Sequence, residues 1–295
     1  MIPRVLPFAL LASLALSPLA FAADIVVPPA AIAAMDDSAL ARTYPDKRVG
    51  LAFEEGRFSP DGAFFAFSVS QIESGDPEQV WLYDLRARKL VPATEAPKKS
   101  AVGFTISGFA FDKNDTLYVS GERVDWQDQG NNRPLRVAAT MAHSTEVKEF
   151  PKDADAAFAA QAAAVSDDDD ATTWNGDPFD VIARNLGHGA FALSVKNRKT
   201  GQIRNIANGS WEFEHVLFDG HTMLRFGDGS GIVTLDLTSG TRQRLVVAQK
   251  RGPGRLLDQM HSGLVAYIMV GSCDPDKYGA VRGGDPQFVC FVKEP

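Results

Sequence analysis

The chain has 295 residues, 45% of them hydrophobic and 23% charged, with 30 Lys+Arg against 37 Asp+Glu for a formal net charge of -7. A chain of that length can bury a large core as one repeat-built domain or as two ordinary ones. The acid excess argues against a nucleic-acid binder, whose phosphate contacts require clustered cations.

The first element in chain order is MIPRVLPFALLASLALSPLAFA, with one cation (Arg4), an apolar run over 5–19 and the small-x-small ending Ala20-Phe21-Ala22. That pattern predicts a cleavable secretory signal over 1–22. The run is interrupted by Pro7 and Pro18 and is short for a spanning helix, which needs ~20 apolar residues. No cysteine stands at the cleavage point to take a lipid, and no later stretch is long and apolar enough to span a membrane. The expected mature product is soluble and exported, periplasmic or secreted, after cleavage near Ala22. Residues 23–50 read as a Pro- and Ala-containing lead-in, of which 24–27 is the candidate strand for pairing with the last repeat.

Beyond residue 50, period-2 apolar runs dominate. Strands are predicted at 63–69, 80–85, 108–111, 116–119, 136–140, 181–184, 191–195, 216–217, 222–226, 232–237, 264–270 and 288–292. Turn chemistry separates them, beginning with Ser59-Pro60-Asp61-Gly62 and continuing through Asp112-Lys113-Asn114-Asp115, Thr200-Gly201, Asp219-Gly220 and Ser239-Gly240. Laid over one another, these pieces form five copies of one unit. The cleanest alignment puts Asp84, Asn197 and Asp236 at one place, each followed by a turn. A period of roughly 40 to 55 residues with several strands per copy predicts sheets arranged radially. In FSPDGAFFAFSVS, Phe65, Phe67 and Val69 point one way and Phe64 and Ala66 the other, so both faces of the strand are apolar. A strand sandwiched between two neighbouring sheets needs that pattern.

Residues 151–177 depart from it. Over 153–165 the Ala content predicts a short helix, and Asp167 to Asp170 form a like-charge run expected to be a solvated linker. The whole segment reads as an insertion between the second and third copies. The two cysteines, Cys273 and Cys290, are expected to pair in an oxidising compartment. The bridge would close a loop of about 16 residues and stabilise by roughly 3 kcal/mol on the chain-entropy account.

The signature FSPDG…VWLYDL…RKL resembles the TolB-type propeller repeat, in which a Ser-Pro-Asp-Gly turn precedes one strand and a later strand ends in Asp-Leu. The third copy, DPFDVIA…FALSVKNRKTGQIRNI, is similar to blades of the propeller that precedes the hydrolase domain in prolyl oligopeptidase family enzymes. The resemblance covers most of residues 51–295. It implies an all-β propeller of five or six blades built from four-stranded antiparallel sheets, with a habit of binding peptides or proteins. It transfers no catalytic residue, because in that peptidase family the chemistry belongs to the separate hydrolase domain.

Chemistry is sparse in the residues themselves. The nucleophile motif G-x-S-x-G of such hydrolases is missing, and Gly229-Ser230-Gly231 lies between two predicted strands, as a hairpin loop would. His143, His188, His215, His221 and His261 show no zinc-ligand spacing, although His215 and His221 bracket one turn. The loop from Cys273 to Gly279 carries Asp274 and Asp276 but lacks the distal glutamate of a calcium loop. Arg242, Arg244, Lys250, Arg251 and Arg255 form a cationic stretch, read as an outer strand with a solvated loop or as a surface for an acidic partner. Trp126, Trp174 and Trp211 lie in or near loops, as contact residues or local core caps, whereas Trp81 lies in a core strand. No catalytic, cofactor or metal residue is assigned. The expected function is that of an exported, monomeric, non-enzymatic propeller binding a protein or peptide partner in the cell envelope. The alternatives are an accessory propeller of a separately encoded hydrolase, a propeller enzyme acting on glycan or peptide through rim carboxylates, and a purely structural envelope component.

Overall fold

Strands that are apolar on both faces must lie between other sheets, and the structure arranges them that way. The computed structural model describes residues 25–26, 51–71, 79–94, 102–125, 132–168, 171–187, 190–210, 216–227, 231–247, 256–259, 263–270 and 287–293. Five antiparallel sheets contain all the described strands. The first is β2 (Leu51–Phe58), β3 (Phe64–Gln71), β4 (Gln79–Asp84) and β5 (Lys89–Pro92). The second is β6 (Val102–Phe111), β7 (Leu117–Asp125), β8 (Arg133–Ala139) and β9 (Ser144–Glu146). After helix α1 (Lys152–Ala164), the third sheet runs β10 (Val165–Asp168), β11 (Ala171–Trp174), β12 (Phe179–Gly187), β13 (Ala190–Asn197) and β14 (Ile203–Ser210). The fourth is β15 (Leu217–Phe218), β16 (Met223–Gly227), β17 (Gly231–Asp236) and β18 (Arg242–Val247). The fifth contains β19 (Leu256–Gln259), β20 (Leu264–Val270) and β21 (Gln287–Lys293), with β1 (Ile25–Val26) as its outer strand.

The chain is a β-propeller, with five blades among the described residues. The predicted closing strand falls where expected, since Ile25 is paired with Phe291 and Val26 with Cys290. That pairing covers the outer edge of β21, which would otherwise present unpaired N–H and C=O groups.

Side-chain packing follows the alternation read from the sequence. Phe65, Phe67 and Val69 enter a cluster with Ala266, Ile268, Val289 and Phe291, joining blade 1 to blade 5. Ala66, with Phe64 beside it, packs against Phe109, Leu117 and Val119 of blade 2. A third cluster joins Val181, Leu193 and Val195 of blade 3 to Leu224, Phe226 and Val233 of blade 4. Blades 4 and 5 meet through β15 and β19. At the remaining seam α1 rests on β6, with Phe150 between Tyr118 and Phe158 at ring distances of 5.6 and 5.5 Å. Each fully buried Phe side chain contributes roughly 1.5–3 kcal/mol, so the aromatic seam between blades 1 and 5 is a principal source of ring stability.

The acidic run departs from expectation. Residues 165–168 form a strand rather than a solvated linker: Asp167 is paired with Thr172 and Asp168 with Ala171. The third sheet therefore has five strands instead of four. Aspartate is a poor strand former, and here the hairpin with β11 supplies what local propensity does not.

Candidate functional site

The turns between first and second strands, and between third and fourth, emerge on one face of the ring, and the sequence builds both kinds repetitively. At the third-to-fourth turn, Asp84 Oδ1 accepts the N–H groups of Arg86 and Ala87 at 2.9 and 2.7 Å. Asn197 Oδ1 does the same for Lys199 and Thr200, and Asp236 Oδ1 for Thr238 and Ser239. The residue completing the turn takes positive φ, at 54° for Arg88, 71° for Gly201 and 75° for Gly240. At the first-to-second turn of blade 1, Asp61 Oδ1 accepts the Ser59 hydroxyl at 2.8 Å and the Ala63 N–H at 2.7 Å. Asp112 Oδ1 accepts the N–H groups of Asn114 and Thr116, and Asp219 Oδ1 those of His221 and Met223.

Polar clasps tie neighbouring blades on this face. The Asp115 carboxyl, on a residue with φ of 61°, lies beside Asp61 and Ser59 across the seam between blades 1 and 2, and its Oδ1 is buried with no hydrogen-bond partner. Burial pushes Asp115 up, the nearby charges of Asp61 and Asp112 add to the effect, and the neighbouring Asp61 backbone and Ser59 hydroxyl oppose it. Asp61 moves the other way, held below the usual carboxylate range chiefly by the Ala63 backbone. Between blades 3 and 4 the Asp177 N–H donates to Gly220 O at 2.9 Å. Gly176 is pressed there so closely that an added Cβ would lie 2.5 Å from the Gly220 carbonyl oxygen.

A second polar group belongs to the inner strands. Asp258 of β19 accepts the Phe58 N–H from blade 1 at 2.7 Å; burial pushes its carboxyl up and Arg57 draws it back. The nearly buried Arg225 of β16 donates to Gln259 Oε1 of β19. These groups hold blades 4, 5 and 1 together around the inner strands. Sequence reading did not single out Asp258, Arg57 or Arg225, because the partners of each lie in other strands that come beside it only when the ring forms.

His221 stands exposed on its turn with Nδ1 3.3 Å from the Asp177 carbonyl oxygen, and His143 lies in the turn after β8. Among the described residues no cluster of three or more His, Cys, Asp or Glu has the geometry to hold a metal ion. Trp81 is in the core as expected. Trp174, by contrast, is on β11 and packs on the cluster between blades 3 and 4. β17 opens at Gly231, with Ile232 paired to Gly227 at the end of β16, in keeping with a hairpin, though Gly229 and Ser230 themselves are outside the described residues. Cys290 is fully buried on β21. Arg242 and Arg244 are exposed on β18, the expected outer strand. The signal segment 1–22, Trp126, Trp211, His188, His215, His261, Asp169, Asp170, Lys250, Arg251, Arg255, Cys273 and the Asp274–Gly279 loop all lie outside the described residues.

No family model matches the chain, and no curated protein matches its sequence. Among solved structures it is similar to the oligogalacturonate lyase of Vibrio parahaemolyticus, at 11% identity and TM-score 0.36, covering 83% of this chain and 78% of that one. It is similar to TolB from Acinetobacter baumannii at 11% identity and TM-score 0.30, covering 82% of this chain but only 54% of that one, so it spans about half the TolB chain. The β-propeller domain of the Trilobed protease from Pyrococcus furiosus is similar at 10% identity and TM-score 0.32, with coverage of 82% and 79%. The propeller assignment rests on the five sheets themselves, not on these likenesses.

Proposed function

We propose that the protein is an exported, monomeric, non-enzymatic β-propeller that binds a protein or peptide partner in the cell envelope. The observation carrying this reading is the employment of the rim carboxylates. Asp61, Asp84, Asp112, Asp219 and Asp236 each accept backbone N–H groups of their own turns. Carboxylates held in that way shape a rigid face, and rigid faces carrying exposed side chains serve recognition. The signal pattern over 1–22 supports export, and a Cys273–Cys290 bridge would accord with an oxidising compartment. Among the described residues no helix is long and apolar enough to cross a membrane.

The test is affinity capture from the envelope of the exporting cell with the chain lacking 1–22 as bait, run beside a turnover assay on a glycan and peptide panel. A saturable partner and no turnover are expected. Turnover without a partner would reverse the ranking.

One observation favours the enzymatic alternative. Asp61 and Asp115 face each other at a blade seam with their proton affinities driven in opposite directions, as in acid/base pairs. If the pair were catalytic, Asp115→Asn would abolish turnover found on the panel and leave the fold intact. If it serves as a clasp, the variant changes only stability.

A further inference from the structure

Three arginines, two on β18 and one on β14, lie on the facing sides of the outer groove between blades 3 and 4. Arg244 is paired with Val233 and Arg242 with Leu235, and both partners belong to the cluster that faces blade 3. Residues directly opposite on adjacent strands share a face, so both guanidinium-bearing side chains project toward blade 3. Arg242 confirms it, with Cζ 5.2 Å from the Phe226 ring centroid. From the other side, Arg204 of β14 is paired with Val195, also in that cluster. It crosses the groove to donate to the Leu237 carbonyl oxygen of blade 4 at 3.4 Å. All three residues are exposed, in a chain whose net charge is -7.

The strand that carries two of them is the outermost of its sheet, and among the described residues no strand pairs with its outer edge. Arg242 and Arg244 are two residues apart, so their charges repeat at roughly 6.6 Å along the edge. An extended peptide with a carboxylate at every second position repeats at the same spacing, and its backbone can continue the sheet. The molecule already uses this mode of assembly, because the outer strand of blade 5 is contributed by residues 25–26 from the far end of the chain. Charged side chains on an edge also deter unwanted pairing, but that role would not require Arg204 from the neighbouring blade.

We infer that the β18 edge, with Arg204, Arg242 and Arg244, is a docking site for an extended acidic peptide that adds as a fifth strand to blade 4. The inference rests on the binding reading above and specifies its ligand. Guanidinium suits the task because its planar fork takes carboxylates in paired hydrogen bonds.

The test uses a fluorescein-labelled peptide of alternating Asp and Val, titrated by anisotropy against the chain lacking 1–22. Three probes run beside it: the same peptide with Pro at alternate Val positions, dextran sulfate, and phosphatidylserine vesicles. The Asp-Val peptide should bind, weaken with added salt and protect β18 amides from hydrogen exchange. Arg204→Gln and Arg244→Gln should each weaken it about tenfold with the fold unchanged by circular dichroism. Arg242 is left in place because its side chain also covers Phe226. No binding by the peptide, or binding unaffected by both variants, overturns the site. Equal binding of the Pro-containing peptide overturns strand addition, and tighter binding of dextran sulfate or vesicles overturns the peptide as ligand. If the peptide fails while envelope capture still yields a partner, this site falls and the binding function stands.

Discussion

Tyr83 offers the sharpest test of how the blades are held together. It is fully buried in the cluster between blades 1 and 5, its ring stacked on Phe291 at 6.2 Å and 13°. Its hydroxyl is buried with no hydrogen-bond partner, and the surroundings are aromatic and aliphatic. A buried hydroxyl without a partner costs about 1–3 kcal/mol. Tyr83→Phe keeps the ring and removes the hydroxyl, leaving a small void whose cost is on the order of 0.3 kcal/mol at ~24 cal/mol per Å³. The net expectation is a gain of about 1 kcal/mol or somewhat more, equivalent to roughly 2 °C in Tm for a chain of this size.

Burial also raises the Tyr83 pKa above its ordinary 10.0. The folded state therefore holds that proton more tightly than the unfolded state does. Wild-type stability from this group is complete below pH 10 and falls as pH rises through the raised value, and Tyr83→Phe should abolish that alkaline loss. Urea unfolding followed by Trp fluorescence at neutral and alkaline pH measures both effects, with the m-value unchanged. A destabilisation of about 1 kcal/mol or more at neutral pH would refute the reasoning, because the hydroxyl would then have a partner worth keeping.

Arg88 occupies, at φ of 54°, the place that Gly201 and Gly240 hold in their turns. Arg88→Gly relieves a strain of about 1–2 kcal/mol against an unfolded-state entropy cost of ~0.4–1 kcal/mol, so thermal melting should show a small gain, whereas Gly201→Ala should show a loss. The clasp between blades 1 and 2 should give opposing pH effects. Asp61, lowered from 3.8, contributes stability present above that value and lost as pH falls below it, whereas Asp115, raised from 3.8, contributes stability lost as pH climbs above it. Asp61→Asn should therefore flatten the acid limb of a stability–pH curve and Asp115→Asn the limb on the neutral side, each read by denaturant midpoint. Deleting residues 23–27 removes β1 and bares the edge of β21. The truncated chain should melt earlier and scatter more light on warming, and an unchanged melting temperature would mean that β1 does not close the ring.

Legibility in the sequence followed burial. The second and third strands of each blade lie between two neighbouring sheets, so their runs, such as FFAFSV and LVAYIMV, announce themselves as apolar on both faces. The first strands at 51–58, 171–174 and 256–259, and the outer strands at 89–92, 144–146 and 203–210, were not predicted. They border the inner side or the rim of the ring, where one face or one edge meets water and the apolar signal thins. Turn residues were equally legible, because an Asp or Asn oxygen taking two N–H groups, followed by a positive-φ position, is chemistry confined to a few neighbouring residues. The Asp167–Asp168 strand was hidden for the opposite reason, since only its pairing partner makes it a strand.

The amino-acid sequence by itself determined the sheet class, the copies of one unit and their turns. Those features depend on local φ preference and on period-2 hydrophobicity, both of which act within one strand or one turn. The tertiary structure alone decided which partners the polar groups meet: Asp115 the turn of blade 1, Asp258 the Phe58 N–H, and Arg204 the Leu237 carbonyl oxygen of blade 4. Residues far apart in the chain become neighbours only when blades pack face to face, so no local pattern records that they will share a seam.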